Sequence, residues 1–239
     1  MAPGPLRGRR PRRHPGHFRV IRWALLGAFL LAAAIPPAAA QTPLAEPGKP
    51  GWTPAGNTCF VWNRAPAEGE TATWSGPCVA QRASGKGMLV WQAGDEQQTY
   101  EGEMRDGRLN GRGTYTFSLN SRYDGDFKDD DFDGKGTRTQ PGIRYEGQWS
   151  AGKKHGRGTL TTMNGDRYEG EFRDDALTGR GILRLSDGRK YEGTLLDGRP
   201  NGQGTLTDAV GSVTGVWKDG CFRDGAKTVT LGADPATCQ

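Results

Sequence analysis

Large apolar side chains are scarce in this sequence, and their scarcity argues against a deep globular core. Hydrophobic residues make up only 34% of the 239 residues. Glycine, in contrast, fills 38 positions, more than twice its usual share of about 7%. Because a deep core needs more apolar material than this, the composition favours a thin, turn-rich β structure.

The residue patterns of common catalytic and metal sites are missing as well. The sequence contains no GxSxG, HExxH or phosphate-binding loop, and its four cysteines form no CxxC pair. Beyond residue 40 histidine occurs once, at His155 in KKHGRG, where we expect a surface side chain. We therefore expect no zinc and no cofactor. An enzyme with an unrecognised carboxylate pair stays open as an alternative, although a charged sheet face offers no desolvated cleft to shift a carboxylate pKa.

A surplus of basic residues is absent from most of the chain. The net charge of +5 and the pI of about 9.1 arise from seven arginines in residues 1–40, a segment without acids. The remainder holds 25 basic and 27 acidic residues. The basic pI therefore gives no reason to expect nucleic-acid binding.

Long apolar runs are limited to one, which lies in a segment with the features of a signal peptide. Thirteen apolar residues from Trp23 to Ile35 follow a basic stretch and precede the small residues 38–40. This run is shorter than the roughly 20 residues that span a bilayer as a helix. We predict a cleaved signal peptide over residues 1–40 and an exported protein, periplasmic or associated with the cell envelope. An uncleaved anchor is the alternative.

Export makes the few cysteines interpretable as disulfides. Cys59, Cys78, Cys221 and Cys238 allow three pairings. We favour Cys59–Cys78 and Cys221–Cys238, because each pair is close in sequence and flanks one end of the repeats described next; free buried thiols are the alternative. Closing such a loop contributes about 3 kcal/mol in the chain-entropy model. Residues 41–58, which contain four prolines, are predicted to form an extended linker.

A sequence motif of about 14 residues recurs five times in the middle of the chain. Its first residue is Tyr100, Tyr123, Tyr145, Tyr168 or Tyr191, at steps of 22 or 23 residues. Every copy has glycine two, eleven and thirteen residues after the tyrosine and a large apolar residue four after it. The residue fifteen positions after the tyrosine is apolar except at Arg138. Such a period indicates a stacked repeat architecture.

Degenerate copies of the motif flank the five complete copies, as expected for capping units. Trp74 takes the tyrosine position upstream, and Val213, Gly215 and Trp217 continue the pattern downstream. We divide the chain into an N-terminal cap with a degenerate first unit over residues 59–99, five repeats over 100–212, and a degenerate last unit with a C-terminal cap over 213–239.

Each copy of the motif predicts an antiparallel hairpin. Tyr168, Gly170 and Phe172 alternate with charged residues, a period of two that is typical of a half-buried strand. We predict that Gly170 lies opposite Gly181, so that Tyr168 faces Leu183 and Phe172 faces Gly179. The glycines would then leave room for the rings. The same register predicts five pairs on the charged face: Glu103–Arg112, Asp126–Lys135, Gln148–Arg157, Glu171–Arg180 and Thr194–Gln203.

The pattern Tyr-Glu-Gly-x-Phe/Trp followed by Gly-x-Gly-x-Leu resembles the MORN repeat (membrane occupation and recognition nexus), over about residues 74–220. The resemblance implies an all-β fold, an elongated, single-layer, twisted antiparallel sheet of stacked hairpins. It also implies scaffolding, partner binding and in some members oligomerisation, and the family name records a proposed link to membranes and anionic phospholipids. The segment from Cys59 to Cys78 is similar to the N-terminal region of exported bacterial MORN proteins. Arg138 departs from the family's apolar preference and predicts looser packing in the second repeat.

Three groups of residues are candidate sites. The stretch Asp129–Gly134 imitates the start of a calcium loop, but the twelfth position is Gln140 instead of the required Glu, so we interpret it as a solvated turn and predict no metal. A basic column of Arg112, Lys135, Arg157 and Arg180 suits phosphate head groups, or simply pairs with the neighbouring acids. Most rings at the tyrosine and Phe/Trp positions are expected to belong to the core, but part of that face of a one-layer sheet stays uncovered and leaves a partly open aromatic stripe as the candidate binding surface. Its members are Tyr100, Tyr123, Tyr145, Trp149, Tyr168, Tyr191 and Trp217.

The sequence therefore predicts a non-catalytic, exported repeat scaffold that binds a protein partner or self-associates along its sheet. A module that binds membrane phospholipid or a cell-wall polymer is the first alternative. An enzyme is the second.

Overall fold

The computed structural model describes residue 46 and residues 49–56, 58–225 and 227–238. The predicted signal peptide and most of the predicted linker lie outside this part of the chain. The described residues form nineteen strands and one short 3-10 helix, Pro235–Thr237. Among the described residues, no helix has the length and apolar character needed to cross a membrane.

The first five strands have two to four residues, whereas the strands of the five repeats have seven to eleven. Their bounds are β1 Gly51–Pro54, β2 Phe60–Asn63, β3 Thr71–Trp74, β4 Cys78–Val79, β5 Arg82–Ala83, β6 Gly85–Ala93, β7 Glu96–Arg105, β8 Arg108–Ser118, β9 Ser121–Lys128, β10 Asp131–Gln140, β11 Ile143–Ser150, β12 Lys153–Thr162, β13 Arg167–Arg173, β14 Ala176–Arg184, β15 Lys190–Leu196, β16 Arg199–Thr207, β17 Ser212–Lys218, β18 Cys221–Asp224 and β19 Lys227–Thr230.

Fifteen of these strands form one open antiparallel sheet, as predicted. Strand β3 pairs with β6, and β6 to β19 then follow in chain order, each paired with the next. At about 4.8 Å per strand the sheet is roughly 70 Å long. Strands β1, β2, β5 and β4 form a second, four-stranded sheet over the N-terminal end. β1 forms within the segment expected to be a linker, because Trp52 packs edge-on against Trp62 at 5.1 Å and beneath the guanidinium of Arg82.

Each hairpin closes with a two-residue turn in which both residues have positive φ, the geometry of a type I′ turn. The six turns are Asp106–Gly107, Asp129–Asp130, Ala151–Gly152, Asp174–Asp175, Asp197–Gly198 and Asp219–Gly220. The second turn residue always donates its N–H to a carbonyl of the preceding hairpin, at 2.8–3.1 Å. Each turn therefore links two units. Where aspartate replaces the usual glycine, its carboxylate accepts a further backbone N–H, from Leu109 to Asp130 and from Lys154 to Asp175.

The predicted register is correct at the tyrosine end of the hairpin and wrong at the turn end. Tyr168 pairs with Leu183, and Gly170 pairs with Gly181, but Phe172 pairs with Leu177 instead of Gly179. A β-bulge causes the shift, because the two residues Gly179 and Arg180 lie outside the ladder to β13. Gly179 has φ +60°, so its glycine meets a conformational need and does not provide space for Phe172.

The bulge also moves the charge pairs from within a unit to between units, so the five predicted pairs are wrong. Glu171 lies opposite Arg157 of the preceding repeat, and Asp126 lies opposite Arg112. The same shift pairs Lys86 with Glu103, Lys135 with Gln148, Arg180 with Thr194, and Gln203 with Val216. Opposite charges across strands contribute about 0.2–1 kcal/mol each, and here they stabilise the stacking of neighbouring hairpins.

Two disulfides fix the caps at the two ends of the array. Cys59–Cys78 lies in the N-terminal cap, and Cys221–Cys238 ties the 3-10 helix to β18, the pairing that the sequence favours. The N-terminal cap is joined to the first full hairpin by a hydrogen bond of 2.8 Å from Trp62 N to Gly107 O. Leu231 N donates to Gly220 O at the other end. Both end units are thereby held to the stack.

Candidate functional site

The five repeat tyrosines lie flat on bare backbone. Gly170 and Gly181 face each other beneath the ring of Tyr168, and a Cβ added to Gly181 would lie 2.5 Å from Tyr168 Oη and 2.6 Å from Cζ. The ring hydroxyl donates to the carbonyl three residues later, which lies beside the bulge. These bonds run from Tyr100 to Glu103 (2.7 Å), Tyr123 to Asp126 (3.0 Å), Tyr145 to Gln148 (2.8 Å), Tyr168 to Glu171 (3.0 Å) and Tyr191 to Thr194 (3.0 Å). Each tyrosine hydroxyl is therefore hydrogen-bonded within its own repeat.

Neighbouring units cover the tyrosine rings. Phe172 contacts Tyr145 of the preceding repeat edge-on at a centroid distance of 4.9 Å and its own Tyr168 at 5.2 Å. Trp217 covers Tyr191 in the same way at 5.5 Å. The expected open aromatic stripe is therefore not formed, since its members are only 0–7% exposed. These members are Tyr100, Tyr123, Tyr145, Trp149, Tyr168, Tyr191 and Trp217.

Burial changes the acidity of the tyrosines. It raises the pKa of Tyr145, Tyr168 and Tyr191 to about 12. It raises the pKa of Tyr100 and Tyr123 as well, and nearby carboxylates add to the effect. A desolvated phenol resists ionisation because its charged form is disfavoured. The rings therefore stay neutral at any physiological pH.

The opposite face of the same strands, here called the charged face, is exposed. Basic residues just before four of the tyrosines form ion pairs with acids just after them. These pairs are Arg122–Asp124, Arg144–Glu146, Arg167–Glu169 and Lys190–Glu192, at 2.6–3.0 Å. In the basic column Arg112 reaches Asp124 at 3.9 Å. The charges of these five basic residues are thus opposed locally, and surface pairs of this kind contribute about 0–1 kcal/mol each.

The acidic turn of the second repeat makes contacts within the protein. Asp131 accepts from Arg64 at 2.6 Å, and Asp133 accepts from Ala151 N at 3.2 Å. Burial raises the pKa of Asp130, while its bonds to Leu109 N and Arg108 oppose that shift. Within residues 49–56, 58–225 and 227–238 no cluster of three potential metal ligands occurs. His155 lies exposed on β12.

A cleft of about 450 Å³ opens at the N-terminal end of the ring face, which is the face of the sheet that carries the repeat tyrosines. One wall is the segment Asn63–Glu70, here called the cap segment, which Arg64 ties to Asp131 and to the carbonyl of Asp129 at 2.9 Å. The other wall is formed by side chains of strands β6 to β10. The aromatic residues that line the cleft, with one from β2, are Trp62, Trp91, Tyr115, Phe117, Phe127 and Phe132. We call this cavity the aromatic cleft.

Arg138 closes the packing beside the aromatic cleft. Its guanidinium lies 3.7 Å from the ring centroid of Phe117 and donates to Ser121 Oγ at 3.2 Å. Burial lowers its pKa. The prediction of loose packing in the second repeat is therefore wrong, because a cation over a ring replaces the usual aliphatic contact.

The sequence did not reveal the aromatic cleft. Arg64 and Asp131 are 67 residues apart, and the cap segment has no repeat signature from which its position could be inferred. The one available signal was the aromatic residue Phe117, which the later repeats replace by polar or smaller residues at the same position.

The geometry defines a protein built from stacked β-hairpin repeats, each closed by a ring on a glycine pair. The MORN repeat family matches this chain five times. The matched segments are residues 100–118, 123–142, 145–167, 168–188 and 191–213. The array therefore belongs to the MORN repeat family, whose members are in general non-catalytic scaffolds. A search of the curated proteins finds no match.

Proposed function

We propose that this chain is a non-catalytic, exported scaffold that binds a protein partner or a second copy of itself through the C-terminal end of the charged face. One observation carries the proposal: the charges fade along that face. The position opposite the basic column is Glu171 in the fourth repeat, Thr194 in the fifth and Val216 in the last unit. The basic column itself ends at Gln203.

Apolar side chains appear where the charges end. Val216 is 63% exposed and Leu196 is 52% exposed. Val216 lies opposite Gln203, and the next pair along the same face is Thr205–Thr214. Depletion of charge around exposed apolar residues is typical of the core of a protein interface. The buried aromatic rings of the repeats, by contrast, leave no exposed surface for a partner.

The test compares Val216→Glu with a matched control, Leu119→Glu, at an exposed turn residue elsewhere on the array. Light scattering after size exclusion measures self-association, and co-purification from the native cell envelope measures a stable partner. We expect Val216→Glu to abolish the dimer or the partner and Leu119→Glu to leave it intact. A monomer without a stable partner, or equal behaviour of both variants, would contradict the proposal.

Export is supported by the two disulfides, which persist in oxidising compartments. We propose a periplasmic or envelope location for the mature chain. Mass spectrometry of the protein from its native cells measures this, with an N-terminus near residue 41 and no thiol that reacts with a labelling reagent as the expected result. Retention of residues 1–40 would instead indicate an anchor.

Binding to anionic phospholipid is the second candidate, and the turns between repeats favour it. Leu119 and Met163 are 101% and 84% exposed at the tips of such turns, and Arg122 and Arg167 follow within four residues. Apolar tips beside basic residues suit a membrane surface. Flotation with phosphatidylglycerol vesicles in moderate salt tests this candidate. Loss of flotation in Leu119→Asp/Met163→Asp would support it, and no flotation of the wild type would refute it.

A further inference from the structure

The aromatic cleft contains rings that the repeat does not require. Trp62 and Trp91 belong to the cap and the degenerate first unit. Phe117 stands seventeen residues after its tyrosine, where the next two repeats have Gln140 and Thr162. These rings are therefore concentrated at this end of the array, and apart from the contact of Phe117 with Arg138 the stacking of the repeats does not explain them.

Hydrogen-bonding groups at the rim of the cleft have capacity to spare. Gln98 accepts from the Tyr115 hydroxyl through Oε1 at 2.7 Å, which leaves the two hydrogens of its Nε2. Glu70 accepts from Asn63 and from Ala67 N through Oε2 alone. Its other oxygen and the exposed carboxylate of Glu96 can accept from a ligand. Planar amide and carboxylate groups thus surround an aromatic floor.

The charges around the cleft select neither an anion nor a cation. Arg64 is bound to Asp131, and Arg108 is bound to Asp130 at 2.8 Å. Arg138 is stacked on Phe117. These three guanidinium groups oppose a cationic ligand, while the carboxylates at the rim oppose an anionic one. A neutral ligand that offers hydroxyl groups fits this balance.

The sheet wall of the cleft offers no free backbone groups to a peptide strand. The sheet wall consists of side chains on β6 to β10, and each of these strands is paired on both sides. An extended peptide would therefore find no open edge for main-chain hydrogen bonds. A sugar ring needs none, because its apolar face stacks on aromatic rings and its hydroxyl groups bond to side chains at the rim.

We propose that the aromatic cleft binds a neutral saccharide, with a sugar ring stacked on the exposed part of Trp62, Phe117 or Phe132 and its hydroxyl groups bonded to Glu70, Glu96 and Gln98. A cavity of about 450 Å³ falls within the range of about 300–1,000 Å³ that holds a drug-sized ligand. The cleft thus suits a disaccharide or the end of a glycan chain.

Calorimetry and tryptophan fluorescence with cellobiose, maltose and N,N′-diacetylchitobiose test the proposal on the mature protein. We expect at least one of these sugars to bind at millimolar concentration. Trp62→Leu should weaken that binding tenfold or more, and Glu96→Ala should weaken it as well. The matched control is Glu101→Ala, which removes an exposed carboxylate from the opposite face of the same strand and should leave the affinity unchanged.

Circular dichroism of each variant establishes that it is folded before the titration. Glu96→Ala changes an exposed side chain and keeps the test decisive even where Trp62→Leu fails to fold. Failure of all three sugars to bind would overturn the proposal. Binding that is insensitive to Glu96→Ala, or a proline-rich peptide that displaces the sugar and binds more tightly, would also overturn it.

Discussion

Replacing Gly181 by alanine should displace the ring of Tyr168, and the cost follows from the geometry. The new Cβ would lie 2.5–2.6 Å from Oη and Cζ of the ring, beside the paired backbone of β13. Since the backbone cannot retreat, the ring must leave its site. Loss of a buried aromatic ring costs about 3–5 kcal/mol, and the lost hydrogen bond to Glu171 O adds about 1 kcal/mol. We expect the free energy of unfolding to fall by about 4–6 kcal/mol.

Urea and thermal unfolding, followed by circular dichroism, measure this loss. For a chain of this size the expected decrease in Tm is roughly 8–24 °C. Gly188→Ala in the same repeat is the matched control, because its Cβ would meet nothing within 4 Å and only its positive φ of +91° is unfavourable. That control should cost about 1–2 kcal/mol.

A double-mutant cycle decides whether the ring is the cause. In a Tyr168→Ala background the space above Gly181 is empty, so Gly181→Ala should cost much less than it does in the wild type. Additive effects within about 0.5 kcal/mol would mean that the two sites are independent. Such additivity would refute the argument that these glycines exist to receive the ring.

Two further variants test the links between units. Glu171→Lys should lower stability by about 0.2–1 kcal/mol, and Arg157→Glu should restore it whereas Arg180→Glu should not; rescue by Arg180→Glu would contradict the bulged register. Asp175→Ala should cost about 1–3 kcal/mol, because it removes the acceptor of Lys154 N at 3.1 Å and places alanine at φ +73°. Asp175→Gly should cost less in urea unfolding, and equal costs would exclude the backbone term.

The sheet and its repeat could be predicted because they depend on local patterns. Alternation around Tyr168 specifies a strand with one buried face, and Gly170 opposite Gly181 follows from the need of one ring for two bare positions. The paired cysteines followed from proximity in sequence. The MORN resemblance then supplied the stacking of hairpins in chain order.

The turn end of the hairpin could not be predicted, because the bulge depends on backbone geometry. Glycine at position 179 satisfies two explanations equally well: space for Phe172 and a positive φ. Only the structure separates them, through φ +60° and the pairing of Phe172 with Leu177. The register error then moved every charge pair by one unit.

The burial of the repeat tyrosines and the formation of the aromatic cleft both depend on contacts between residues that are distant in sequence. Tyr145 is covered by Phe172, which lies 27 positions later in the next repeat. The cleft needs the cap segment to reach Asp131. Neither contact leaves a periodic signal, and the expectation of an open aromatic stripe was wrong for this reason.

Titration of the tyrosines by ultraviolet absorbance tests most directly whether the rings are buried structural parts of the repeats. The pKa of Tyr145, Tyr168 and Tyr191 is raised to about 12 from about 10 in an unfolded chain. Their neutral form therefore stabilises the fold fully below pH 10, and this contribution is lost as the pH rises from about 10 through about 12. We predict that tyrosinate appears together with the loss of the β-sheet signal in that range. Ionisation of these rings near pH 10 with the sheet intact would show that they are open to solvent and would contradict the account.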